Sequence, residues 1–165
     1  MNTITIAFSS TKNKFMLFGK LIEAVEKRPF SHALVIHKDP ITGIDMVFQS
    51  SHGMVHHCTL QRFLTTNHLV KSYDLTLNTS EYNVFYSSML NCLGTRYGWL
   101  ELVGIALNKL IHIRSPFRDG LQTMICSELA ARVCQIKGIQ IDKDLDSVTP
   151  SDLEAILRRI YGENK

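Results

Sequence analysis

Residues 31–58 read SHALVIHKDPITGIDMVFQSSHGMVHHC, and the fold class follows from this stretch. It contains three runs rich in β-branched and aromatic residues, which are Ser31–His37, Asp45–Ser50 and Met54–Cys58. The segments between these runs are short and carry an Asp-Pro pair or a glycine, which are residues typical of turns. Strand-like runs joined by short turns predict an antiparallel meander.

The flanking sequence extends this block of strands. Thr3–Phe8 alternates well enough to predict a strand, and His68–Leu77 predicts a fourth strand of the block. Leu60–Leu64 fits a short helical turn. Between the first strand and the meander, apolar residues at helical spacing predict a helix over Lys14–Lys27, which ends before Pro29.

The C-terminal half has the pattern of helices. Predicted helices cover Thr79–Leu93 with Thr79 or Ser80 as the N-cap, Tyr97–Ile111, the segment from Cys126 to just before Gly138, and Thr149–Tyr161. A block of strands beside a block of helices is typical of an α+β fold rather than of alternating βαβ units. The length of 165 residues, of which 45% are hydrophobic, predicts a single domain over residues 1–165.

Composition and charge exclude several classes of partner. The formal net charge of +3 comes from 18 Lys and Arg against 15 Asp and Glu, and the basic residues are scattered. We expect no nucleic-acid partner, because binding to nucleic acid relies on a concentrated basic patch. The apolar stretch Leu100–Ile113 is interrupted by polar and charged residues, so we expect no integral membrane segment.

The N-terminus and the cysteines indicate a compartment. The first residues, MNTITIAFSSTKNK, lack a basic region followed by an apolar one, so we expect no signal peptide and a cytoplasmic location. The four cysteines, at positions 58, 92, 126 and 134, form no CxxC pair. They are predicted to be free thiols in a reducing compartment, with Cys134 in the core.

Cys126 is the first candidate for chemistry. Leu129, Val133 and Ile136 follow it at helical spacing, so Cys126 is expected at or just inside the N-terminus of a helix. Unpaired backbone N–H groups and the positive end of the helix dipole stabilise a thiolate there and can hold an oxyanion. The alternative is a thiol packed in the core.

His32 and Gln49 are the second and third candidates. His32 begins an otherwise apolar strand, where it is either a hydrogen-bonded structural group or a base that accepts the proton of a thiol. Gln49 interrupts the neighbouring apolar strand, where its amide oxygen would fix the tautomer of the histidine. An exposed glutamine is the alternative.

The second turn and the strand after it carry a candidate metal site. His52, His56, His57 and Cys58 carry side chains that bind zinc. Neighbouring residues of a strand point to opposite faces, so His56 and His57 are not expected to face the same ion. No second Cys/His pair at ligand spacing completes a site, and we expect no metal and no other cofactor.

Along the chain, a histidine at the start of a strand is followed by a polar residue on the next strand and then by a cysteine at a helix start. This order resembles that of a known family, the circularly permuted NlpC-type papain-like cysteine hydrolases, of which lecithin retinol acyltransferase is a distant relative. Four strings carry the resemblance: Phe30–Ala33 (FSHA), Val47–Ser51 (VFQSS), Gly94–Trp99 (GTRYGW) and Cys126–Leu129 (CSEL). Thr149–Leu153 (TPSDL) is similar to the start of the C-terminal helix of the family.

The resemblance implies a papain-like antiparallel sheet packed against helices and a catalytic triad. Cys126 would be the nucleophile, His32 the base and Gln49 the third polar residue, at a position where an acid or a histidine is common. Tyr97 would line the site or assist the oxyanion, and Ser127 is a second candidate for these roles beside its place in the first turn of a helix.

The implied activity is cleavage of an amide bond in a peptide or cell-wall peptide through a thioacyl intermediate. The same site chemistry also suits an ester, a thioester or a lipid acyl bond, by hydrolysis or transfer. A wall substrate would require lysis, a phage particle or a dedicated secretion route. The alternatives from other classes are a catalytically inactive binding module and a zinc-binding hairpin.

Overall fold

The computed structural model describes residues 1–12, 23–24, 27–51, 53–98 and 123–162. The helices predicted over Lys14–Lys27 and Tyr97–Ile111 fall largely outside these ranges, as does His52.

Within the described residues, seven strands form one sheet. They are β1 (Asn2–Thr11), β2 (His32–Lys38), β3 (Asp45–Ser51), β4 (Met54–Thr59), β5 (Asn67–Leu77), β6 (Arg96–Tyr97) and β7 (Thr123–Met124). Their order in the sheet is β5-β1-β2-β3-β4-β6-β7. The predicted antiparallel meander over β2, β3 and β4 is confirmed, and β5 lies on the far side of β1 rather than beside β4.

The helices are α1 (Leu60–Thr66), α2 (Thr79–Cys92), α3 (Cys126–Ile136) and α4 (Pro150–Tyr161), with a short 3₁₀ turn at Leu145–Ser147 before α4. The fold is α+β, as the order of patterns predicts. The N-cap predicted for α2, Thr79 or Ser80, is wrong by one or two residues, because Asn78 caps the helix through a reciprocal pair of hydrogen bonds with Glu81. Asn78 fits the cap because its short side-chain oxygen reaches the third N–H of the helix.

The prediction that a helix begins at Tyr97 is also wrong. Arg96 pairs with Met54 of β4 in an antiparallel ladder, and Tyr97 pairs with Met124 of β7 in a parallel one. A strand of two residues leaves no periodic pattern in the sequence, since its backbone conformation is fixed by distant pairing.

The sheet carries packed side chains on both faces. On one face, which we call the α1 face, Leu34 of β2 and Val47 of β3 pack with Phe63 of α1. On the other, the α3 face, the alternate residues Ala33 and Val35 belong to the larger core that includes residues of α2, α3 and α4. This alternation assigns every residue of β2 and β3 to a face.

Helix α3 runs along β2 in the same direction as the strand. Lys137, which follows α3, lies 3.4 Å from the carboxylate of Glu81 in α2. The next residue of α2, Tyr82, donates a hydrogen bond of 3.2 Å to the main-chain oxygen of Lys38 at the end of β2. The C-terminal end of α3 therefore lies near the end of β2, and its N-terminal end lies toward the start of β2.

Candidate active site

Cys126 is the first residue of α3. The residue before it, Ile125, is the N-cap and has no side-chain acceptor to offer, so no side chain caps this helix. The first turn of a helix carries N–H groups without partners inside the helix, and the dipole is positive there. Cys126 is only 3% exposed. The sulfur therefore lies in a buried environment whose backbone favours a negative charge.

A buried hydrogen bond ties the start of α3 to the end of β3. Ser50 Oγ donates to the main-chain oxygen of Met124, two residues before Cys126, at 2.6 Å. Ser50 directly follows Gln49, so this bond places Met124, at the end of β7 and two residues before Cys126, against the same end of the sheet as Gln49.

His32 and Gln49 are joined on the α1 face. His32 Nε2 lies 3.0 Å from Gln49 Oε1. The His32 ring stacks toward Phe63 with a centroid distance of 6.4 Å, which places it on the same face as Leu34. Gln49 Oε1 can only accept a hydrogen bond, so His32 donates from Nε2 and its Nδ1 keeps a lone pair.

Burial sets the charge of His32. It lowers the pKa of His32 to about 4, and the hydrogen bond to Gln49 offsets part of that effect. At neutral pH the ring is therefore uncharged, which is the form that accepts a proton.

The amide nitrogen of Gln49 has two partners on β4. Gln49 Nε2 lies 3.0 Å from His56 Nε2 and 3.7 Å from Cys58 Sγ. The other ring nitrogen of His56, Nδ1, lies 3.3 Å from the main-chain oxygen of Met54. Burial raises the pKa of the Cys58 thiol, although the contact with Gln49 lowers it in part.

The contact between His56 and Gln49 was not predicted, although the sequence holds a signal for it. Ser51 pairs with Met54 beside the turn that joins β3 and β4, and this register pairs Gln49 directly with His56. Counting outward from this turn would have found the pair, because directly paired residues of an antiparallel ladder share a face.

Cys126 and His32 approach one end of the sheet from its two faces. Helix α3 packs on β2 and β3 across the α3 face, whereas the His32 ring lies on the α1 face. His32 is the first residue of β2, and Cys126 is the first residue of a helix that runs parallel to β2. Both residues therefore lie at the margin of the sheet, toward the start of β2.

Tyr97 and Ser127 are the remaining site candidates. Tyr97 contributes its backbone to β6, next to Met124. The Ser127 hydroxyl donates a hydrogen bond of 2.5 Å to the main-chain oxygen of Val148. Glu128 pairs with Arg132 at 2.9 Å, one turn further along α3. The Ser127 side chain thus connects the first turn of α3 to the segment just before α4.

The histidines of β4 face opposite sides of the sheet, as predicted. His57 stacks on Phe48 with a centroid distance of 4.0 Å, and its Nε2 lies 3.0 Å from His37 Nε2. Among residues with described positions, no three His, Cys, Asp or Glu side chains converge as metal ligands.

Burial raises the pKa of Cys134 to about 12 and also raises the pKa of Cys92. Both thiols are buried, and both ionise less readily than an ordinary cysteine. They provide internal references for the reactivity of Cys126.

None of the helices in the described part of the chain is both long and apolar enough to cross a membrane. No protein-family model matches the chain, and no curated protein matches its sequence.

Proposed function

We propose that the protein is a papain-like cysteine hydrolase of the permuted NlpC type, in which Cys126 is the nucleophile, His32 the base and Gln49 the residue that orients His32. The observation that carries this proposal is the 3.0 Å hydrogen bond between His32 Nε2 and Gln49 Oε1. This bond leaves Nδ1 of a neutral imidazole as a proton acceptor at the end of the sheet where α3 begins.

The reaction proceeds in two halves. His32 Nδ1 takes the proton of Cys126 Sγ, the sulfur attacks the substrate carbonyl carbon, and the new C–S bond places negative charge on the carbonyl oxygen. The N–H groups of the first turn of α3 stabilise that oxyanion. His32 then gives its proton to the leaving amine nitrogen, and the C–N bond breaks.

The second half releases the acyl group. A water molecule gives a proton to His32 Nδ1 as its oxygen attacks the thioacyl carbon. The C–S bond breaks, and the proton returns from His32 to the sulfur. A peptide amide is the proposed substrate class, and the same cycle applies to an ester, a thioester or a lipid acyl group.

Alkylation by iodoacetamide at pH 6 tests the nucleophile. We expect Cys126 to be labelled at least about tenfold faster than Cys92 and Cys134, because Cys126 begins a helix, whose N-terminus stabilises a thiolate, and His32 takes its proton in the proposed mechanism. His32→Ala should remove this advantage. Peptide mapping by mass spectrometry reports each rate, and a Cys126 rate equal to that of Cys134 would refute the proposal.

A substrate screen tests the reaction itself. Peptide, muropeptide and acyl-ester substrates are compared between the wild type and Cys126→Ala, which removes the sulfur and leaves the helix intact. Product release that requires Cys126 supports the hydrolase.

The second candidate is a binding module without catalysis. The burial of Cys126 at 3% exposure favours it, since a buried thiol also packs as a small hydrophobe. This candidate predicts slow labelling of Cys126 and no difference between the wild type and His32→Ala.

A further inference from the structure

A chain of hydrogen bonds on the α1 face connects a backbone carbonyl to the proposed base. It runs from the main-chain oxygen of Met54 to His56 Nδ1 at 3.3 Å, and from His56 Nε2 to Gln49 Nε2 at 3.0 Å. It ends with the 3.0 Å contact between Gln49 Oε1 and His32 Nε2. The chain thus contains one backbone group and three side chains.

The main-chain oxygen of Met54 determines which group donates and which accepts in every hydrogen bond of this chain. A carbonyl oxygen has no proton to donate, so His56 must donate from Nδ1. A neutral imidazole with its proton on Nδ1 has a lone pair on Nε2, and this lone pair accepts a hydrogen from the Gln49 amide. The amide oxygen of Gln49 then faces His32.

The same logic fixes the proton of His32. Because Gln49 Oε1 accepts, His32 must carry its hydrogen on Nε2 and keep the lone pair on Nδ1. The opposite orientation of the amide would direct an N–H of Gln49 at His32 Nε2, and the proton of the neutral ring would then reside on Nδ1. A base that already carries a proton on Nδ1 cannot accept one there.

We propose that His56 is a positioning residue, which holds the amide of Gln49 in the orientation that leaves His32 Nδ1 free to act as a base. The inference rests on the proposed function for its catalytic meaning, whereas the tautomer of His32 is a property of the free protein. The remaining partner of the amide nitrogen, Cys58 Sγ at 3.7 Å, is a weak acceptor and does not replace His56.

Three substitutions at position 56 separate the possible effects. His56→Gln keeps an acceptor near the position of Nε2, because its amide oxygen can take the hydrogen from Gln49. His56→Phe keeps a ring of similar shape and removes the acceptor. His56→Lys offers donors alone, so it favours the reversed orientation of Gln49.

The tautomer of His32 is read from long-range ¹H–¹⁵N correlation spectra of ¹⁵N-labelled protein without substrate at pH 7. We expect the proton on Nε2 in the wild type and in His56→Gln, a mixture of tautomers in His56→Phe, and the proton on Nδ1 in His56→Lys. The alkylation rate of Cys126 should fall about 10²-fold in His56→Lys, which is the size expected for losing a positioned base.

His57→Phe is the matched control, because it makes the same replacement on the neighbouring residue, whose ring lies on the α3 face. It should leave the tautomer of His32 unchanged. The inference is overturned if the wild type carries its proton on Nδ1, or if His56→Phe and His56→Gln give the same spectrum. Unreactive Cys126 together with the expected spectra would refute the hydrolase and leave the role of His56 in place.

Discussion

Ser50 Oγ lies 2.6 Å from the main-chain oxygen of Met124, and this buried hydrogen bond joins residues that are 74 positions apart. One side of the bond adjoins Gln49, and the other precedes the helix that begins at Cys126. The two parts of the proposed site, which are the strand residues with Gln49 and the start of α3 with Cys126, come from distant segments of the chain. This bond fixes the position of one part relative to the other along the strands.

Ser50→Ala should therefore reduce both stability and reactivity. It leaves the oxygen of Met124 buried without this donor, and an unmade buried hydrogen bond costs about 1–3 kcal/mol. Urea denaturation measures the free energy of unfolding, and iodoacetamide labelling measures the rate at Cys126, which should fall. Ser87→Ala, on the exposed side of α2, is the control and should lower neither quantity. Equal stabilities of the two variants would contradict the importance of this bond.

Replacing Gln49 tests how the charge of His32 is set. In Gln49→Glu a carboxylate lies beside His32, so the pKa of His32 should rise by about 1–3 from its lowered value of about 4. In Gln49→Leu the hydrogen bond that raises this pKa is lost, and the pKa should fall further. NMR titration of the His32 ring measures both values. A pKa of His32 that is the same in both variants would show that Gln49 does not contact the ring.

The block from Ser31 to Cys58 could be predicted because a sheet with packed faces leaves a period of two in its sequence. The same period placed His56 and His57 on opposite faces. That placement argues against a shared metal ion, but the contact of His56 with Gln49 on the other side of the same alternation was not predicted. The missing step was the register of the turn, which decides which residues pair across the strands.

The short strand β6 and the position of β5 in the sheet could not be predicted, because both depend on pairing between residues that are distant in the sequence. Arg96 and Tyr97 form a strand only because Met54 and Met124 lie beside them, and no local pattern records that relationship. The position of β5 next to β1 likewise depends on pairing between segments that are distant in the sequence, because the pattern of a strand does not specify which strand it pairs with. The sequence signal for Cys126 was stronger because a helix start has local signs, which are the apolar spacing after it and the glycine that ends it.

Acid should destabilise the fold through His37. This residue is 1% exposed, and burial, with a smaller effect from the neighbouring His57, lowers its pKa to about 4. An unfolded histidine titrates near 6.5, so between pH 6.5 and 4 the unfolded chain binds more protons than the folded one. The contribution of His37 to the free energy of unfolding is therefore fully present above pH 6.5 and is lost as the pH falls toward 4. One such group changes the free energy of unfolding by up to about 1.4 kcal/mol per pH unit.

Urea denaturation at pH 7, 6 and 5 measures this dependence above the range in which most carboxylates titrate. His32 acts in the same direction, so the contribution of His37 is isolated with His37→Gln. That variant keeps a polar partner for His57 and cannot take up a proton. It should show a smaller loss of stability between pH 7 and 5 than the wild type, and an equal loss would mean that His37 is not the group responsible.

Ser9 and Ser10 provide a matched pair on the strand beside His32. Ser9 is paired directly with His32 in the ladder of β1 and β2 and is fully buried, and its Oγ has no hydrogen-bond partner among the described residues. The neighbouring hydroxyl of Ser10 donates to the carboxylate of Glu23. A buried hydroxyl without a partner costs free energy, whereas a bonded one contributes to stability.

Ser9→Ala should therefore raise the free energy of unfolding by about 1 kcal/mol, and Ser10→Ala should lower it by a similar amount. Both changes remove one oxygen from the same strand, so the opposite signs isolate the effect of the hydrogen bond. Urea denaturation at pH 7 measures the two values. If Ser9→Ala is instead destabilising, the Ser9 hydroxyl forms a hydrogen bond in solution, and the expected contrast with Ser10→Ala is refuted.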